Sequence, residues 1–145
     1  MAVYQMDMIG YNVATPCSFE VHVGYWDSQD VQMRSVVLAK QIQRLAEIVS
    51  PTLAVPQLYE SKGPDRDQRD PAERRSDHAA FQERGYAACL AIEDFFIGPT
   101  TDSPAPEANP NYHQKTDTFI DPAYAADIAR CVTAAAWVTA NMTAT

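Results

Sequence analysis

Strict alternation marks residues 18–25, where Phe19, Val21, Val23 and Tyr25 alternate with Glu20, His22 and Gly24. A period of two predicts a strand with one buried face. Ahead of it, Val3, Met6, Met8 and Ile9 suit a buried strand within 2–11, with its carboxyl end near Asp7 to Gly10. From Val31 the period changes. Val31, Leu38, Ile42, Leu45 and Val49 follow spacings of seven, four, three and four, which predict an amphipathic helix over 31–49. Asp27, Ser28, Gln29 and Asp30 offer N-cap candidates, and Pro51 ends the helix.

Leu53, Val55 and Leu58 suggest a short strand, which Pro56 places at an edge or a strand end. Residues 60–75 read as a long surface loop of interleaved charges, among them Arg66, Arg69, Arg75, Asp65 and Asp70. Ser76 or Asp77 can cap a short helix through Glu83, with Gly85 at its C-terminal cap. The apolar run 86–92 has no helical period and reads as a buried strand. Residues 95–111, rich in Pro, Asp and Ser, form a second long loop. Asp121 and Pro122 open a last helix with a stripe of Tyr124, Ile128, Cys131, Ala135, Val138 and Met142. Strands alternating with helices predict an α/β fold built on a mixed sheet.

Composition narrows the class. The 145 residues suffice for one domain with a core. A net charge of −8 opposes binding to phosphate backbones, so nucleic acid is a poor partner. No apolar run approaches the roughly 20 residues that span a bilayer. The segment before Asp7 has neither the positive nor the apolar region of a signal peptide, and it reads like the interior of a domain. Cys17, Cys89 and Cys131 are odd in number and far apart, so they suit buried free thiols rather than a zinc knuckle or a disulfide framework.

Several turn-rich segments carry candidate chemistry. Asp7 stands where a strand gives way to Gly10, and open α/β sheets bind ligands at the carboxyl ends of their strands. It suits a metal ligand or a solvated turn aspartate. His113 follows a Pro-rich loop; imidazole is the commonest protein ligand for zinc, and an exposed histidine is the plainer alternative. Tyr112 offers a hydroxyl to a developing oxyanion, or a packed ring. Arg75 can clamp a carboxylate or an oxyanion. Asp77 can orient a ligand histidine or cap a helix. Glu93 and Asp94 look like a general-base pair or, more plainly, an acidic strand end bordering the pocket, and Asp117 with Thr118 can make a turn.

The order of these segments is more specific than any one of them. Asp-Met-Ile-Gly-Tyr comes first, then Ser-Asp-His-x-x-Phe-x-x-x-Gly-Tyr-x-Ala, then Asn-Pro-x-Tyr-His-x-x-x-Asp-Thr, then the capped helix. Over essentially its whole length the chain resembles the co-catalytic dizinc exopeptidases, which include bacterial secreted aminopeptidases and glutamate carboxypeptidases. The resemblance implies the C-terminal half of that catalytic domain over 1–145, with a mostly parallel mixed sheet flanked by helices. It implies two zinc ions per intact site, Asp7 binding one and His113 the other. Tyr112 and Arg75 would stabilise the tetrahedral intermediate. Ser76, Asp77 and His78 match a motif that shapes the site, with Glu93 and Asp117 near it.

The family's other ligands precede the Asp-Met-x-Gly strand: a histidine, a bridging aspartate and two adjacent glutamates, one of them the general base. The chain has no counterpart of these. The expectation is a zinc-dependent exopeptidase acting on peptides, inactive without an upstream half of the domain, in a secreted or periplasmic setting. A non-catalytic relic of the same fold and a glutaminyl-cyclase-like acyltransferase are the alternatives.

Overall fold

The computed structural model describes residues 1–13, 17–96 and 108–142. Most of the loop expected at 95–111, and the side chain of Met142, lie outside the described residues. Among the described residues four strands form one sheet: β1 (Ala2–Met6), β2 (Phe19–His22), β3 (Gln57–Tyr59) and β4 (Ala87–Glu93). Their spatial order is β1-β4-β2-β3. β1 runs parallel to β4 and β3 parallel to β2, while β2 and β4 are antiparallel. The sheet is therefore mixed, as expected.

The described residues also form three α-helices: α1 (Gln29–Val49), α2 (His78–Gln82) and α3 (Pro122–Met142). Ser28 caps α1, its hydroxyl accepting from the Val31 N–H at 3.4 Å. Asp121 caps α3 through the N–H groups of Ala123 and Tyr124, ahead of Pro122 at the first helical position. Gly85 closes α2 at φ +79, a backbone region that strains any residue with a Cβ.

Alternation of side chains sorts the core into two layers. Phe19, Val21 and Val23 of the β2 segment, with Ala87, Cys89 and Ala91 of β4, pack against Leu38 and Ile42 of α1 and Ile128 and Cys131 of α3. Leu90 and Ile92 face the other way, into a smaller cluster with Ala72, Phe95, Phe96 and Ala108. The cysteines are free; Cys89 and Cys131 are buried, and Cys17 only partly so.

Two expectations need correcting. The 2–11 strand is not buried: β1 is an edge of the described sheet, paired only with β4, and Met6 is exposed. And β2 has no solvent face. Glu20 and His22 are wholly buried, because the 60–75 segment and Phe95–Phe96 cover the side that alternation assigns to water.

Candidate functional site

The parallel pair β1 and β4 brings its carboxyl ends together, and the Asp7 N–H donates to the Ala91 carbonyl at 3.2 Å. A cavity of about 70 Å³ opens beside that end. Its polar lining is Asp7, Arg75, Ser76 and Tyr112, and its apolar lining includes Leu90, Ile92, Phe95 and Phe96.

Asp7 is exposed but not adrift. The Ser76 hydroxyl donates to Asp7 Oδ2 at 2.6 Å and accepts from Gln5 Nε2 at 2.7 Å. Gln5 Oε1 in turn accepts the His78 N–H at 2.9 Å, so the start of α2 is bonded to β1. This use of the hydroxyl explains why Ser76 does not cap α2. Asp77 occupies the N-cap position with helical φ and ψ of −61 and −26, and its side chain makes no cap hydrogen bond. Nor is Asp77 hydrogen-bonded to the ring of its neighbour. The adjacent His78 is wholly buried, and neither ring nitrogen has a hydrogen-bond partner among the described residues. Burial holds its pKa down at about 4, so the ring is neutral at pH 7.

The Arg75 guanidinium carbon lies 5.7 Å from the centre of the Phe96 ring, over its face. Tyr112 meets Phe95 edge to face at 4.9 Å and stacks on His113 at 3.8 Å. His113 is exposed and sits at φ +60, an uncommon conformation for a residue with a Cβ. The loop around it is tied by its own side chains. Asn109 Nδ2 donates to Asp117 Oδ1, Asn109 Oδ1 accepts from the Asn111 N–H, and the Thr116 hydroxyl donates to Asn111 Oδ1.

Glu93 and Asp94 have separate partners. Glu93 Oε2 accepts from the N–H groups of Gly10 and Tyr11, whereas Asp94 accepts from the Ser18 hydroxyl. Burial pushes the Glu93 pKa up to about 7. Glu93 and Asp117 line a neighbouring cavity of about 130 Å³, with Met8 common to both cavities.

Asp7, Arg75, Ser76 and Tyr112 thus share one cavity. His113 reaches it only through its stacking on Tyr112, while Asp77, His78, Glu93 and Asp117 do not line it. Asp7 and His113 offer one metal donor each. Among the described residues no three His, Cys, Asp or Glu side chains converge to hold a metal ion. A zinc site needs about three or four protein donors, so these residues do not make one by themselves.

One cluster escaped the sequence. His22 Nδ1 lies 2.6 Å from Asp70 Oδ1, and its Nε2 lies 3.1 Å from Glu20 Oε2. All three side chains are buried. The Tyr59 ring stacks on His22 at 4.7 Å. Glu20 and His22 are two apart on one strand face, a pairing visible in the sequence. Asp70 is one acid among many in a charged loop, and nothing local singles it out.

A mixed sheet with a held carboxylate at a strand end, beside an arginine and a tyrosine, fits the architecture expected of the dizinc exopeptidases. The chain belongs to peptidase family M28, whose model matches residues 1–136. Its structure is similar to the crystal structure of BSAP, a zinc aminopeptidase from Bacillus subtilis, with a TM-score of 0.52 and 22% identity. That match covers 94% of this chain and 27% of the Bacillus chain. No curated protein matches the chain significantly. Among the described residues no helix is long and apolar enough to cross a membrane.

Proposed function

We propose that the chain supplies part of the active site of a zinc-dependent exopeptidase of the aminopeptidase type. The observation that carries this reading is the convergence of Asp7, Arg75, Ser76 and Tyr112 on one cavity at the carboxyl end of β1. Membership of family M28 supports it. In this reading Asp7 and His113 each give one ligand to different members of a zinc pair. The other ligands and the general base come from an upstream half of the catalytic domain. The edge position of β1 suits the attachment of further strands.

The chain's own residues then have defined tasks. Ser76, bonded to Gln5, fixes the Asp7 carboxylate. Arg75 and the Tyr112 hydroxyl offer a positive charge and a hydrogen bond to a substrate oxygen as it gains charge. Leu90, Ile92, Phe95 and Phe96 give the cavity apolar walls that exclude water. A secreted or periplasmic site of action belongs to the same proposal.

The test is zinc content together with hydrolysis of an aminoacyl-p-nitroanilide, by the chain alone and with an upstream half supplied in trans. The expected result is no turnover alone and zinc-dependent turnover on reconstitution. Turnover by the chain alone overturns the shared-site reading. A second reading, a non-catalytic module of the same fold, is favoured by the absence of three converging metal donors among the described residues. A reconstituted protein with neither zinc nor activity would establish it.

A further inference from the structure

Two walls of the cavity come from distant parts of the chain. Ala72, Arg75 and Ser76 form one and Phe95 with Phe96 the other. Behind both lies the buried Glu20–His22–Asp70 cluster. Asp70 belongs to the first wall's segment: its Oδ1 accepts the Ala72 N–H at 2.9 Å, and its Oδ2 accepts from Val23 and Gly24 of the β2 segment. Glu20 holds the second wall, accepting the N–H groups of Phe95 and Phe96 at 3.4 and 3.2 Å. His22 stands between the two carboxylates, and the Phe96 ring meets it edge to face at 5.2 Å.

We propose that His22 is a positioning residue whose imidazolium ties Asp70 to Glu20 and so holds the two walls of the Asp7 cavity in register. An imidazolium has two N–H groups and can serve both carboxylates; a neutral ring has one and must abandon one of them. Burial opposes charge on the ring, but Asp70 and Glu20 outweigh it and raise the pKa to about 9. Other groups also face the cluster. Tyr59 of β3 stacks on the ring and its hydroxyl hydrogen-bonds Glu20, Asp94 lies near Glu20, and His78 of α2 is neutral at pH 7.

A purely apolar filling would hold a core at lower desolvation cost. What the charged cluster adds is direction. Five backbone N–H groups, from Val23, Gly24, Ala72, Phe95 and Phe96, are aimed at its two carboxylates. Gly24 is part of the fit, since a Cβ there would lie 2.1 Å from Asp70 Cβ. Proton loss from His22 would therefore release one wall from the other. This holds whether or not the cavity hydrolyses peptides.

The test is nuclear magnetic resonance on the whole chain. Nitrogen-15 shifts of the His22 ring report its protonation, and carbon-detected Cα shifts of Ala72, Arg75, Ser76, Phe95 and Phe96 report the walls. Between pH 7 and 10 the expected result is a doubly protonated ring at pH 7 and wall shifts on both sides that share its midpoint. In His22→Gln the common transition should vanish. A neutral ring at pH 7, or walls that do not move with it, overturns the proposal. If the variant does not fold, the titration of the unaltered chain decides alone.

Discussion

Raising the pH from 7 to 9 should cost this fold a large share of its stability, and the loss should trace to one side chain. His22 is wholly buried, and its pKa rises from 6.5 to about 9 against two carboxylates. A pKa raised by folding gives stability that is fully present below 6.5 and is lost as pH climbs through about 9. At about 1.4 kcal/mol per pH unit, the rise corresponds to about 3 kcal/mol. A domain of this size has roughly 5–15 kcal/mol in total.

The upper part of the window isolates His22. The Glu93 effect, centred at about pH 7, runs out by about pH 8, and burial keeps Cys89 protonated to about 12, so its thiol matters only from about the unfolded value of 9. Urea denaturation at half-unit steps from pH 6.5 to 9 is the assay. About 2.5 kcal/mol of the His22 contribution is lost between pH 6.5 and 9, so with a slope near 2 kcal/mol per molar urea the His22 share of the fall in midpoint should be about 1.3 M. His22→Gln should start lower and lose the slope above about pH 8. A midpoint that stays level in the unaltered chain, or falls equally in the variant, refutes the reasoning.

Other perturbations give separate readings. Asp70→Ala should destabilise by about 3–5 kcal/mol in urea melts at pH 7, because it strands a buried partner and three backbone donors. Gly24→Ala should cost about 1–3 kcal/mol by overpacking against Asp70, with no comparable loss from alanine at the open but positive-φ Gly85 beyond about 1 kcal/mol. Glu93→Gln should flatten stability between pH 4.5 and 7, since the raised carboxyl favours the fold at low pH and loses that advantage as it ionises. Ser76→Ala should cost only about 1 kcal/mol, yet lower turnover in a reconstituted peptidase more than Asp77→Ala, because only Ser76 holds Asp7.

The elements that were legible in the sequence are those whose information is local. The stripe Val31, Leu38 and Ile42 is one face of one helix, and Asp121 caps the helix two positions before Ala123. The Asp7–Ser76 contact was only half legible: the motif placed both near a site, but the hydrogen bond spans 69 positions and decides that Ser76 serves Asp7 rather than α2. The misreading of β2 has the same origin. Alternation says that Glu20 and His22 share a face; it does not say what covers that face. The cover arrives from Asp70, 48 residues from His22, and from Phe95 and Phe96, 75 and 76 residues from Glu20. A polar strand face is therefore evidence of solvent only when nothing elsewhere in the chain supplies matching charges. Here the Asp70 carboxylate and the Phe95 and Phe96 N–H groups supply the partners, and the polar face of the strand becomes a buried part of the site's support.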